Sequence, residues 1–107
     1  MKYGLQSRVR PECAVERTLD IVGNRWTSLI LRELLAGTRR FNQLKHNLSG
    51  ISPKTLSLRL KELEERGLLT RTIYPVVPPK VEYTLTPKGY ALGPIFEAMR
   101  HWGDQWM

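Results

Sequence analysis

Between Ser52 and Lys61 the sequence reads SPKTLSLRLK, and its polar residues are of types that hold and read a polyanion. Ser52 sits where a helix N-cap belongs and Pro53 at the first helical position, so a helix is expected from Ser52 to Arg66, ended by Gly67. At about 100° per residue, Leu56, Leu60 and Leu63 fall on one side and Lys54, Ser57, Leu58 and Lys61 on the opposite one. With Ser52 and Thr55 at its start, the outer face is basic and hydroxyl-rich where a helix presents its free amides and positive dipole end to phosphate.

Other cations extend this candidate surface. Arg39 and Arg40 stand at the start of a helix expected over 39–48 and are phosphate candidates. Arg59 lies near the edge of the apolar stripe, where its long side chain reaches either a phosphate or a carboxylate such as Glu62 or Glu64. Lys80 is a wing contact to the DNA backbone or minor groove, or else an exposed lysine that blunts an edge strand. Taken singly, each of these residues also reads as part of a solvated face. Their combination points to nucleic acid.

The elements that must position them follow from periodicity. Val15, Leu19 and Val22 have helical spacing, with Gly23 and Asn24 expected to stop that helix through left-handed conformations. A second helix covers about Arg25 to Leu35. From Leu68 to Leu85 the period changes to two, giving two strands, and Pro75, Pro78 and Pro79 force a loop between them. Thr86-Pro87 then starts a last helix running to Trp106, kinked at Gly93-Pro94. Its stripe of Leu92, Ile95, Phe96, Met99, Trp102 and Trp106 exceeds what one thin core covers, which points to a dimer interface; an intramolecular core helix is the alternative. The fold class is therefore mainly α with a small β-hairpin, a winged helix-turn-helix, dimeric, with an N-terminal arm over 1–12 and the winged domain over 13–107.

Composition agrees. The 107 residues are 41% hydrophobic and 25% charged, within the range of an ordinary globular domain. Net charge is +7, which favours a polyanionic partner. The apolar runs fall far short of the roughly 18 residues of a membrane span, and the basic, polar N-terminus does not resemble a secretory signal, so the cytoplasm is expected. The chain's one cysteine, Cys13, agrees with a reducing compartment. His46 and His101 lie in different helices with no nucleophile or carboxylate at motif spacing, and neither a metal cluster nor a phosphate-binding glycine loop is present. Neither an enzyme nor a cofactor is expected. A winged module that binds RNA or protein remains the competing function.

The segments ECAVERTLDIVGNRW, LILRELLAGTRRFNQL, GISPKTLSLRLKELEERGLL and IYPVVPPKVEYTLTPKG resemble the HxlR family of bacterial regulators, relatives of the MarR group. The resemblance covers Cys13 to about Trp102 and departs at Asn24-Arg25, where the family more often has glycine and lysine. It implies a homodimer whose terminal helices pack together and whose two recognition helices read a palindromic operator in double-stranded DNA. It also implies a small electrophile or oxidant as effector, sensed through a cysteine placed like Cys13. A thiol at a helix start near Arg10 and Arg17 has its thiolate favoured, while Glu12 and Glu16 oppose this. A small, buried, inert cysteine is the other reading.

Overall fold

A computed structural model describes residues 13–107, so the arm expected over 1–12 lies outside the described residues. The elements run α1 (Ala14–Val22), α2 (Arg25–Leu35), β1 (Arg39–Arg40), α3 (Phe41–Asn47), α4 (Pro53–Glu65), β2 (Leu69–Tyr74), β3 (Lys80–Leu85), α5 (Pro87–Tyr90) and α6 (Gly93–Trp106). The core is mostly leucine: Ile30, Leu31 and Leu34 of α2 pack with Leu44 of α3 and with Leu56, Leu60 and Leu63 of α4. Burying each of these side chains contributes about 1.5–3 kcal/mol, and this holds α4 with its other face outward.

The helix ends show how local chemistry sets the boundaries. Ser52 caps α4, its Oγ accepting from the Thr55 N–H at 3.1 Å. At the other end Gly67 has φ +74°, the Leu68 N–H donates to the Leu63 carbonyl at 2.9 Å and the Gly67 N–H to that of Glu64 at 3.0 Å. This paired arrangement turns the chain sharply from helix into strand. Gly23 differs from expectation: its φ is −78°, in the right-handed region. The glycine is instead required by space, since a Cβ there would stand 2.5 Å from the Leu19 carbonyl oxygen. Asn24 is not a stop but the N-cap of α2, accepting from the Thr27 N–H at 3.0 Å.

Two further boundaries move. The third helix begins at Phe41, because Arg39 and Arg40 are extended and pair with Tyr83 and Glu82 of β3. The Gln43 side chain then reaches back to accept from the Arg40 N–H at 2.8 Å, opening α3. The sheet accordingly has three antiparallel strands in the order β1-β3-β2, with Leu69 opposite Leu85 and Tyr74 opposite Lys80. The last helix is broken rather than kinked. A helix continuing through Pro94 would drive the proline ring into the Tyr90 carbonyl, and α5 does end at Tyr90 while Pro94 sits in the first turn of α6.

Leu92 and Phe96, expected at a dimer interface, are core residues, each 8% exposed. These two reach inward while Ile95, Met99, Trp102 and Trp106 of α6 stay exposed. At α5, Gly89 lies so close to the Leu68 carbonyl oxygen and the Leu85 side chain that no Cβ fits. Gly89→Ala is expected to lower stability by about 1–3 kcal/mol through overpacking. Denaturant unfolding checks this, and an unchanged midpoint would refute the close approach.

Candidate nucleic-acid interface

The candidate surface is built on α4 because its inner leucines are fixed and its ends are closed. Lys54, Ser57, Leu58 and Lys61 are all exposed, and neither lysine forms an ion pair among the described residues. Thr55 is half-buried and Ser52 is exposed, and their hydroxyls bond to each other at 2.9 Å. Ser52 thus uses its hydroxyl as both donor and acceptor within the cap. It organises the helix start, and the Thr55 hydroxyl keeps a hydrogen for an outside acceptor.

The other expected cations divide. Arg59 turns to a carboxylate, its Nη1 2.8 Å from Glu62 Oε1, which places it in an ion pair rather than on the outer face. Arg39 lies 3.6 Å from Glu33 and donates to the Thr38 carbonyl at 3.1 Å. Lys80 starts β3 beside the tip, 3.3 Å from Glu82 and 4.9 Å from the centre of the Tyr74 ring. Arg40 is exposed with no ion pair among the described residues. Of the cations expected at this surface, Arg40, Lys54 and Lys61 thus form no ion pair among the described residues, and they stand on neighbouring elements around one helix-turn-helix.

Two contributors escaped sequence reasoning. Asn42, Gln43 and His46 form an exposed polar face on α3, bordering a shallow cleft with Arg39. The signal was present, since these are the residues left over when Phe41, Leu44 and Leu48 take the inner side. Arg71 is exposed on β2 opposite Tyr83, at the base of the wing. Burial raises the pKa of Tyr83 above its usual 10.0, with Arg71 pulling the other way and Glu64 adding to the rise. The wing tip, Pro75 to Pro79, is exposed and carries no charge.

Elsewhere, α1 exposes Val15 and Leu19, and α6 exposes Ile95, Met99, Trp102 and Trp106 at steps of four, three and four. Cys13 stands just before α1 as its N-cap residue, half-buried, and makes no side-chain capping bond. Among the described residues no three His, Cys, Asp or Glu side chains cluster to hold a metal, and no helix is long and apolar enough to cross a membrane.

Two helices joined by a tight turn, a hairpin directly after the second and a capped helix with its basic face outward define a winged helix-turn-helix transcriptional regulator. The chain belongs to the HxlR-like helix-turn-helix family, whose model matches residues 21–107. It is 44% identical over 95 residues to the HTH-type transcriptional regulator sll1512 of Synechocystis, covering 89% of this chain and 70% of that protein. Among solved structures it resembles the redox regulator HypR in its oxidised form, with 40% identity, a TM-score of 0.81 and coverage of 89% and 98%. The reduced form of the transcriptional regulator YodB from Bacillus subtilis gives 40% identity, a TM-score of 0.78 and coverage of 88% and 93%. YodB has also been solved diamide-treated and quinone-bound. The family and these relatives are regulators of transcription rather than enzymes.

Proposed function

We propose that this chain binds a palindromic operator in duplex DNA as a homodimer, each subunit laying α4 in the major groove. The observation that carries this is the outer face of α4: Lys54, Ser57, Leu58 and Lys61 all exposed, the two lysines without an ion pair among the described residues, on a helix capped by Ser52. Arg40 flanks it as a phosphate contact, and the wing lies beside it. The exposed stripe on α6, together with the exposed Val15 and Leu19 of α1, supports the pairing of two copies. A cytoplasmic setting goes with this reading. The test is binding to duplexes selected from random sequence, with the same sequence as RNA for comparison. Salt-sensitive, sequence-selective DNA binding supports the operator reading; equal binding to RNA, or none to either, overturns it.

A response to electrophiles or oxidants through Cys13 is a second part of the proposal, supported by the likeness to oxidised HypR and to quinone-bound and diamide-treated YodB. With one cysteine in the chain, a disulfide here joins two subunits or captures a small thiol. Cys13 leads into α1, whose exposed Val15 and Leu19 are part of the proposed dimer contact, so an adduct there changes how the two recognition helices are spaced. Treatment with a quinone or diamide is expected to lower operator affinity about tenfold, equivalent to about 1.4 kcal/mol of coupling. Cys13→Ser should not respond. Equal responses from wild type and variant would make Cys13 a packing residue.

A further inference from the structure

The basic face of α4 does not explain the tip of the wing. Tyr74 and Lys80 close the hairpin, and between them run Pro75, Val76, Val77, Pro78 and Pro79. Val77 is 100% exposed and Val76 51%, with Ile73 and Tyr74 exposed on the approach to them. One exposed valine needs no reason, but four large apolar side chains within residues 73–77 form a group, and such groups mark contact surfaces. The tip has no charge with which to neutralise a phosphate. No side chain from Pro75 to Pro79 carries a donor or an acceptor, the three prolines have no N–H, and the Val76 N–H donates to the Tyr74 carbonyl at 2.9 Å. The proline rings also fix φ at three positions, so little freedom is lost when the tip is held against a partner.

The cations stand behind the tip. Lys80 follows it directly, its Nζ 4.9 Å from the centre of the Tyr74 ring and 3.3 Å from Glu82, and Arg71 is exposed further back on β2. A partner that fits this end of the molecule has negative charge at its rim and a narrow interior with apolar walls. The minor groove of duplex DNA is such a surface, about 6 Å wide, with phosphates along both edges and deoxyribose C–H groups as walls. Its floor then decides which base pairs are accepted. A·T pairs show acceptors alone, which suit the Val77 N–H, the one other backbone donor of the tip. G·C adds the guanine amino group, a donor that the valine side chains strip of water and leave unpaired. We propose that the wing tip reads the minor groove beside each half-site and selects A·T pairs there through Val76 and Val77. This deepens the operator reading and rests on it.

The experiment uses the full chain and a duplex selected from random sequence, with A·T pairs placed along both flanks of each half-site. Adenine is replaced, one pair at a time, by 2,6-diaminopurine, which adds the minor-groove amino group and leaves the major-groove pattern of A·T unchanged. At the pairs the tip covers, this is expected to weaken binding about five- to tenfold, near the lower end of what one wrong base pair costs. G·C at the same pairs should weaken binding similarly, and inosine·C, which lacks the amino group, should restore it. A Val76→Thr, Val77→Thr variant keeps the branched shape at two exposed positions and adds hydroxyls that accept from the amino group, so its discrimination should fall to about twofold or less. Wild-type indifference to 2,6-diaminopurine at every flanking pair, or undiminished discrimination in the variant, would overturn the proposal and leave the operator reading standing. If the wild type selects no duplex, both fall.

Discussion

Changing Trp102 and Trp106 together to glutamate is expected to give a folded monomer whose affinity for a palindromic duplex is about 10²- to 10⁴-fold below that of the wild type. The loss follows from effective concentration: once one subunit of a dimer is docked, the second half-site is met as an intramolecular event, and a monomer forgoes that gain. Both tryptophans are well exposed, at 57% and 69%, so the substitutions leave the subunit core intact. Each indole has a surface of about 150–250 Å² to bury in a partner, while a carboxylate at the same place brings unpaired charge into that contact. Sedimentation measures the oligomeric state, and binding to a single half-site, which should be unchanged, shows that the reading helix is intact. A dimer that survives the double change would place the interface elsewhere. Truncation before Pro94 would not separate the two effects, since it also removes Phe96 from the core.

A Lys54→Ala, Lys61→Ala double variant is expected to bind the same operator about ten- to hundredfold more weakly at moderate salt, with a salt dependence flatter by about 0.9 for each phosphate that is no longer neutralised. The physical basis is counterion release: each lysine that neutralises a phosphate frees condensed cations, so its removal appears in the slope as well as in the affinity. Neither lysine has an ion pair among the described residues, so the substitutions leave no stranded carboxylate and change stability little. Lys80 supplies the contrast. It is already held by Glu82 and the Tyr74 ring, and Lys80→Ala should change the slope less. Unchanged affinity and slope in the folded double variant would remove α4 from the interface.

The sequence made α4 legible because every signal for it is local. Ser52 and Pro53 start it, Gly67 ends it, and the inward leucines recur at helical spacing. The hairpin was legible for the same reason, from alternation interrupted by prolines. What escaped depends on partners distant in the chain. Nothing near Arg39 and Arg40 says that they will extend and pair with a strand forty residues further on. Arg59, Arg39 and Lys80 have the composition of a DNA-facing set, yet each found a carboxylate in the folded chain. Leu92 and Phe96 lie at the edge of a broad apolar stripe, roughly 80° and 120° around the helix from Trp102. Which edge of so broad a stripe faces the core is decided by packing against other elements, and here it is theirs. Gly89 stands in the motif without explaining itself, because its reason is the Leu68 carbonyl of another segment.

The base of the wing is closed independently of its tip. The Thr86 N–H donates to the Leu68 carbonyl at 3.1 Å and the Thr86 hydroxyl to that of Gly67 at 2.6 Å, joining the end of α4 to the start of α5. The chain between these clasps can therefore change length without moving the helices it connects. Doubling a flexible loop adds only about 0.6 kcal/mol of closure entropy. The reach of the wing along a groove is thus a dimension that descendants of this fold, or a protein engineer, can lengthen or shorten while the body of the regulator stays as it is.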